Sequence, residues 1–139
     1  MLIALTALML LLANPLYASP TLLENIYTNP EHQKLPEVII LYNSENSCEN
    51  CNKAIDMTIR VLKENYRHKL HAYLINIAKH PEFATEFNTH APLTLVVIRI
   101  SDGTAFGYNK LTGLQSQTDD FEDFNRRITE FINNFLGWD

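Results

Sequence analysis

Val38-Ile39-Ile40-Leu41-Tyr42 is an apolar run of strand length, and it leads within six residues to Cys48-Glu49-Asn50-Cys51, a C-x-x-C pair. A strand this uniformly apolar is expected to be covered on both faces, hence central in a sheet. Beyond Cys51, Ile55, Ile59, Leu62 and Tyr66 recur at helical spacing to about Arg67. Strand, cysteines and helix therefore follow one another directly. If Cys48 lies just before the helix and Cys51 in its first turn, the sulfurs can approach bonding distance, and the positive end of the helix favours a thiolate on Cys48. The same spacing also serves as half of a zinc site or as a structural staple, so the motif alone leaves three readings open.

The chain has 139 residues, 46% hydrophobic and 19% charged, enough for one globular domain with its own core and too few for two. Residues 1–12 are apolar but for Thr6, and Asn14-Pro15-Leu16-Tyr17-Ala18 follows. A short apolar core, a helix breaker, and Leu16 and Ala18 at the positions a signal peptidase reads predict a signal peptide over residues 1–18 and a mature domain over 19–139. The run is too short to span a bilayer, which takes about 20 apolar residues, so no stable membrane insertion is expected after cleavage. No Lys or Arg precedes the apolar core, and an uncleaved, anchored form is the alternative. Export, most simply to a bacterial periplasm, places the two cysteines where disulfides persist.

The net charge of -5 falls wholly beyond residue 18 and includes no Lys/Arg cluster, which argues against nucleic acid or anionic membrane as partner and toward other proteins. Thr21 to Tyr27 reads as a short amphipathic helix, Pro30 to Pro36 as a loop, and Leu70 to Ile77 as a second strand. Pro81 opens a short helix with Phe83, Ala84 and Phe87. Thr94 to Ile100 and Thr104 to Tyr108 flank Ser101-Asp102-Gly103, a hairpin signal. A last helix starts near Asp119, its Phe121, Phe124, Ile128, Phe131, Ile132 and Phe135 on one core-facing side.

This order of elements, the C-x-x-C opening the helix after the first core strand, and Pro92 placed 41 positions after Cys51 before the hairpin resemble the thioredoxin superfamily. Ile75-Asn76-Ile77, Pro81, Ala91-Pro92-Leu93-Thr94 and Gly113 extend the resemblance over nearly the whole mature chain. It implies an α/β thioredoxin fold, a central mixed sheet of about four strands flanked by helices. It implies a thiol-disulfide oxidoreductase that needs no cofactor and no metal. Cys48 is then the nucleophile and Cys51 the resolving thiol. Pro92 is a cis-proline facing the sulfurs, and the backbone of Ala91 is left to pair with an extended substrate. The expected partners are protein thiols and disulfides and a redox partner that the sequence does not name. The mature chain is too short for an added helical domain or dimerisation arm, so a monomer is expected.

Several residues depart from the pattern. Ser47 stands where thioredoxins usually carry Trp, and the strand supplies no buried acid, Glu37 being read as a solvated residue at its edge. Glu49 disfavours a neighbouring thiolate, and Asn50 lacks the positive charge of His, so the two tune Cys48 toward a reductase or moderate exchanger. His90 reads as an exposed loop residue that could reach the cleft, and the other histidines show no ligand spacing. A non-catalytic binding or assembly module, and a copper carrier using Cys48, Cys51 and His90, are the rival readings.

Overall fold

The computed structural model describes residues 21–22, 35–101 and 104–139. The expected signal over residues 1–18, most of the loop expected before Pro36, and the Asp102-Gly103 turn lie outside the described residues.

Strand β2 (Glu37–Tyr42) forms where the apolar run predicts it, and both its edges are paired. It runs parallel to β3 (His71–Asn76), with Tyr42 beside Asn76, and antiparallel to β4 (Leu93–Ser101), with Tyr42 beside Leu93. The hairpin partner β5 (Thr104–Thr112) completes one side, and the two-residue β1 (Thr21–Leu22) lies antiparallel on β3, giving the order β1-β3-β2-β4-β5. The four long strands form the mixed sheet expected from the sequence.

Because side chains alternate, β2 feeds two cores. Val38 and Ile40 pack with Leu95 and Val97 against helix α1 (Cys51–Asn65) and helix α3 (Phe121–Leu136), through Ala54, Val61, Leu62, Phe124, Ile128 and Ile132. Ile39 and Leu41 pack on the other face with Ile75, Val96, Ile98, Phe83 and Phe87. Helix α2 is Pro81–Glu86, opened by its proline as expected. Burying a large apolar side chain contributes roughly 1.5–3 kcal/mol, so these two layers hold the sheet in place.

The ends of α3 are built from local chemistry. Asp120 caps its start by accepting the Glu122 N–H (2.9 Å), with Glu122 and Asp123 in the positive first turn. At the other end Gly137, left-handed at φ +73°, lets the Trp138 N–H return to the Asn133 carbonyl, and Arg99 donates to the Phe135 carbonyl while stacking on its ring.

Two elements differ from the sequence expectation. Thr21 and Leu22 lie in a strand, not at the start of a helix over Thr21–Tyr27, and residues 23–34 lie outside the described residues. The free edge of β3 offers backbone partners that a seven-residue helix, far below the length at which isolated helices persist, cannot match. Strand β5 runs past Tyr108 to Thr112, because β4 presents a full-length edge and Lys110 satisfies its ammonium on the carbonyls of Phe87 and Asn88.

Gly113 follows β5 at φ +84° and starts the 3-10 turn Leu114–Ser116, which buries Leu114. A Cβ there would meet nothing within 4 Å, so Gly113→Ala strains only the backbone. The expected loss is about 1 kcal/mol, measurable by urea unfolding with an unchanged slope.

Candidate functional site

The Cys48–Cys51 pair sits where the central strand ends. Past Tyr42, the backbone is still held on both sides, the Ile77 N–H donating to the Tyr42 carbonyl (2.8 Å) and the Asn43 N–H to the Pro92 carbonyl (3.2 Å). The loop then turns tightly. Asn43 accepts the Glu45 N–H on Oδ1 (2.9 Å) and the Asn46 N–H on its carbonyl (3.1 Å). Asn76, at the end of β3, bonds Ser44 twice, accepting its N–H (3.2 Å) and donating to its hydroxyl (2.8 Å).

Cys48 and Cys51 are joined as a disulfide, their Cα atoms 5.2 Å apart. The Cys51 N–H donates to the Cys48 carbonyl (3.2 Å), the turn that brings the sulfurs together, and Cys51 is the first residue of α1. The two cysteines are not equivalent. Cys51 is 4% exposed and belongs to the core with Ala54 and Ile55, whereas Cys48 is half-buried and flanked by exposed Ser47, Glu49 and Asn50. An attacking sulfur can reach Cys48, while Cys51 is placed to attack only from inside. No side chain caps the start of α1 and no acid lies in its first turn, so its backbone N–H groups are left to favour a thiolate on Cys48. The neighbouring Glu49 carboxylate opposes that thiolate, whereas the positive charge of Lys53, in the first turn of the helix, favours it.

A cavity of about 220 Å³ opens beside the disulfide, walled by Tyr42, Ile55 and Pro92, rimmed by Asn43, Ser44, Ser47 and Asn52, and reaching Cys51. Pro92 thus lines the same cavity as Cys51. The Ala91–Pro92 peptide is trans, however, since no cis bond occurs among the described residues, and this corrects the cis geometry that the resemblance implies. Pro92 opens β4 without needing an N–H, an ordinary place for a trans proline, and its carbonyl already extends the ladder to Asn43. Ala91 is half-buried and directs its N–H toward the Thr89 hydroxyl (3.4 Å), which is itself bonded to Thr94 (2.7 Å). His90 is exposed, and no group of three His, Cys, Asp or Glu side chains converges among the described residues.

Glu37 is not solvated, as its place at the strand edge suggested, but 1% exposed, with neither carboxylate oxygen hydrogen-bonded. Burial pushes its pKa up to about 7. The flanking strands pair over it, setting it beside His71 and Ile98. It shares the face of Ile39 and Leu41, opposite to that of Cys51, and lies five residues before Tyr42, roughly 16 Å along the strand. It cannot pass protons to the sulfurs.

No protein-family model matches the sequence, and neither does any curated protein. Solved structures do match the fold. The germline-specific thioredoxin Deadhead of Drosophila melanogaster is 16% identical at a TM-score of 0.52, covering 73% of this chain and 87% of that one. The Trx4 domain of ERdj5 is 11% identical at 0.53, covering 73% and 82%. This chain has the thioredoxin fold. Within that fold, the Cys48–Cys51 pair stands at the junction of the central strand and the first long helix. The sequence located the pair and Pro92 but missed Asn76 and Ser44, although one polar residue between apolar Ile75 and Ile77 is a visible irregularity.

Proposed function

We propose that the protein is an exported thiol-disulfide oxidoreductase acting on protein substrates. The observation that carries this reading is the asymmetric disulfide, one sulfur accessible and the other buried at a helix start on the thioredoxin fold. In the reduced protein, the Cys48 thiolate attacks a substrate disulfide, and one substrate sulfur leaves as a thiolate. Cys51, deprotonated, then attacks the Cys48 sulfur, releases the second substrate thiolate and restores the Cys48–Cys51 bond. Two electrons pass to the substrate, and the two protons of the protein thiols follow to the released thiolates. A redox partner re-reduces the pair, and no bound cofactor takes part. Catalysed reduction of insulin disulfides, lost in Cys48→Ser, tests the reading.

The direction proposed is reduction or moderate exchange. Glu49 beside Cys48 opposes the thiolate, and Asn50 offers no positive charge. Ultraviolet titration of the Cys48 thiolate should give a midpoint nearer that of an ordinary thiol than that of strongly oxidising relatives, and a midpoint in the acid range contradicts it. Export rests on the apolar run and on Leu16 and Ala18 at the cleavage positions within residues 1–18.

A non-catalytic binding module is the second reading. The lack of a buried carboxylate on the side of the sulfurs, among the described residues, favours it, since the buried Glu37 lies on the far face. Turnover separates the two.

A further inference from the structure

Asn76 is 8% exposed, between Ile75 and Ile77 at the end of β3. A buried amide without partners is destabilising, so what it bonds is informative. Its Oδ1 accepts the N–H of Ala78 (3.0 Å) and of Ser44 (3.2 Å), and its Nδ2 donates to the Ser44 hydroxyl (2.8 Å). One of these bonds serves its own turn. The other two reach a segment 32 residues away, the loop that carries Cys48. Apart from the strand-end bond of Asn43 to Pro92, the other hydrogen bonds of residues 43–46 stay within the loop. Cys51 lies within the core, whereas Cys48 only packs against its edge and follows this loop in the chain, so the loop helps to place it.

We propose that Asn76, acting through Ser44, is a positioning residue that holds Cys48 against Cys51 and thereby sets the reduction potential of the pair. The inference rests on the exchange reading above. Closing the disulfide requires the two sulfurs to meet, and a loop already held in place raises their effective concentration. The equilibrium that reports this is reaction of the protein dithiol with glutathione disulfide. Its S–S bond breaks, the Cys48–Cys51 bond forms, and two electrons with two protons pass from the protein to give two glutathione thiols. Loosening the loop weakens closure and makes the protein disulfide easier to reduce.

Redox titration in glutathione buffers tests this on three variants. Asn76→Ala, which removes both bonds to the loop together with the one to Ala78, should lower the closure constant roughly tenfold, a potential less negative by about 30 mV. Ser44→Ala keeps the Ser44 N–H and should shift it in the same direction by roughly threefold. The double variant should be no worse than Asn76→Ala alone, since the hydroxyl then has no amide to bond. Ser44 is exposed, so its variant retains the fold even where Asn76→Ala weakens it. If Asn76 only supports the fold, melting temperatures of the oxidised and reduced forms fall equally and the potential stays put. That outcome, or a shift to more negative values, overturns the inference while the exchange reading stands. A wild-type dithiol that closes at no glutathione ratio overturns both.

Discussion

A Cys51→Ser variant, reduced and offered a protein disulfide, should stop at the mixed disulfide. Cys48 is half-buried with exposed neighbours, so its thiolate still attacks, but the buried position that resolves the adduct then carries a hydroxyl. A serine hydroxyl, far less acidic than a thiol, does not displace a thiolate from sulfur. The adduct should accumulate, be visible as a mass increase, and disappear with dithiothreitol. Turnover should fall on the order of 100-fold or more, because the two cysteines act as a unit. Cys48→Ser should form no adduct, since Cys51 is 4% exposed and walled by core side chains. Equal adduct formation by both variants would show that the two sulfurs are equally accessible, contrary to the geometry described.

The second large effect lies away from the sulfurs. Glu37→Gln should stabilise the protein at alkaline pH and scarcely at all in acid. The carboxyl is 1% exposed and unbonded, and burial raises its pKa from an ordinary 4.5 to about 7. Between these values the folded chain keeps a proton that the unfolded chain has lost. Stability is therefore fullest below 4.5, falls as pH rises through about 7, and then levels off. The total is about 3 kcal/mol, taking roughly 1.4 kcal/mol for each pH unit of difference. Gln has the same shape without the charge, so thermal melts at pH 8 should rise by roughly 10 °C, whereas melts at pH 4 should nearly coincide. Identical pH profiles for the two proteins would mean that the carboxylate is solvated or paired in solution.

Where a property depended on local pattern, the sequence was readable. The unbroken run Val38–Leu41 announces a strand covered on both faces, Pro81 a helix start, and the Phe124-Ile128-Ile132 spacing a core-facing helix, because each follows from the period of side chains along one element. The Cys48–Cys51 pair was legible for the same reason. What escaped depends on pairing between distant segments. Thr21–Leu22 becomes a strand only because β3 has a free edge, and β5 continues to Thr112 only because β4 does. Glu37 reads as an edge residue in one dimension, yet β3 and β4 flank it and bury it. The Asn76–Ser44 bonds and the trans Ala91–Pro92 peptide depend on how three strand ends converge.

That convergence gives the site its character. The rim of the cavity beside the disulfide is made of neutral polar side chains, and among the described residues the one large hydrophobic side chain that is exposed is Phe106, at 45%, far along the chain in β5. The cavity itself is lined by both kinds of side chain, the polar Asn43, Ser44, Ser47 and Asn52 and the larger Tyr42, Ile55 and Pro92.

The most direct test is the rate of insulin disulfide reduction by dithiothreitol, followed by precipitation of the freed B chain, with wild-type protein and with Cys48→Ser. The account predicts clear acceleration by the wild type in proportion to its concentration, and none by Cys48→Ser above the dithiothreitol background. Wild-type protein that accelerates no more than Cys48→Ser would contradict it and leave the fold as a binding module.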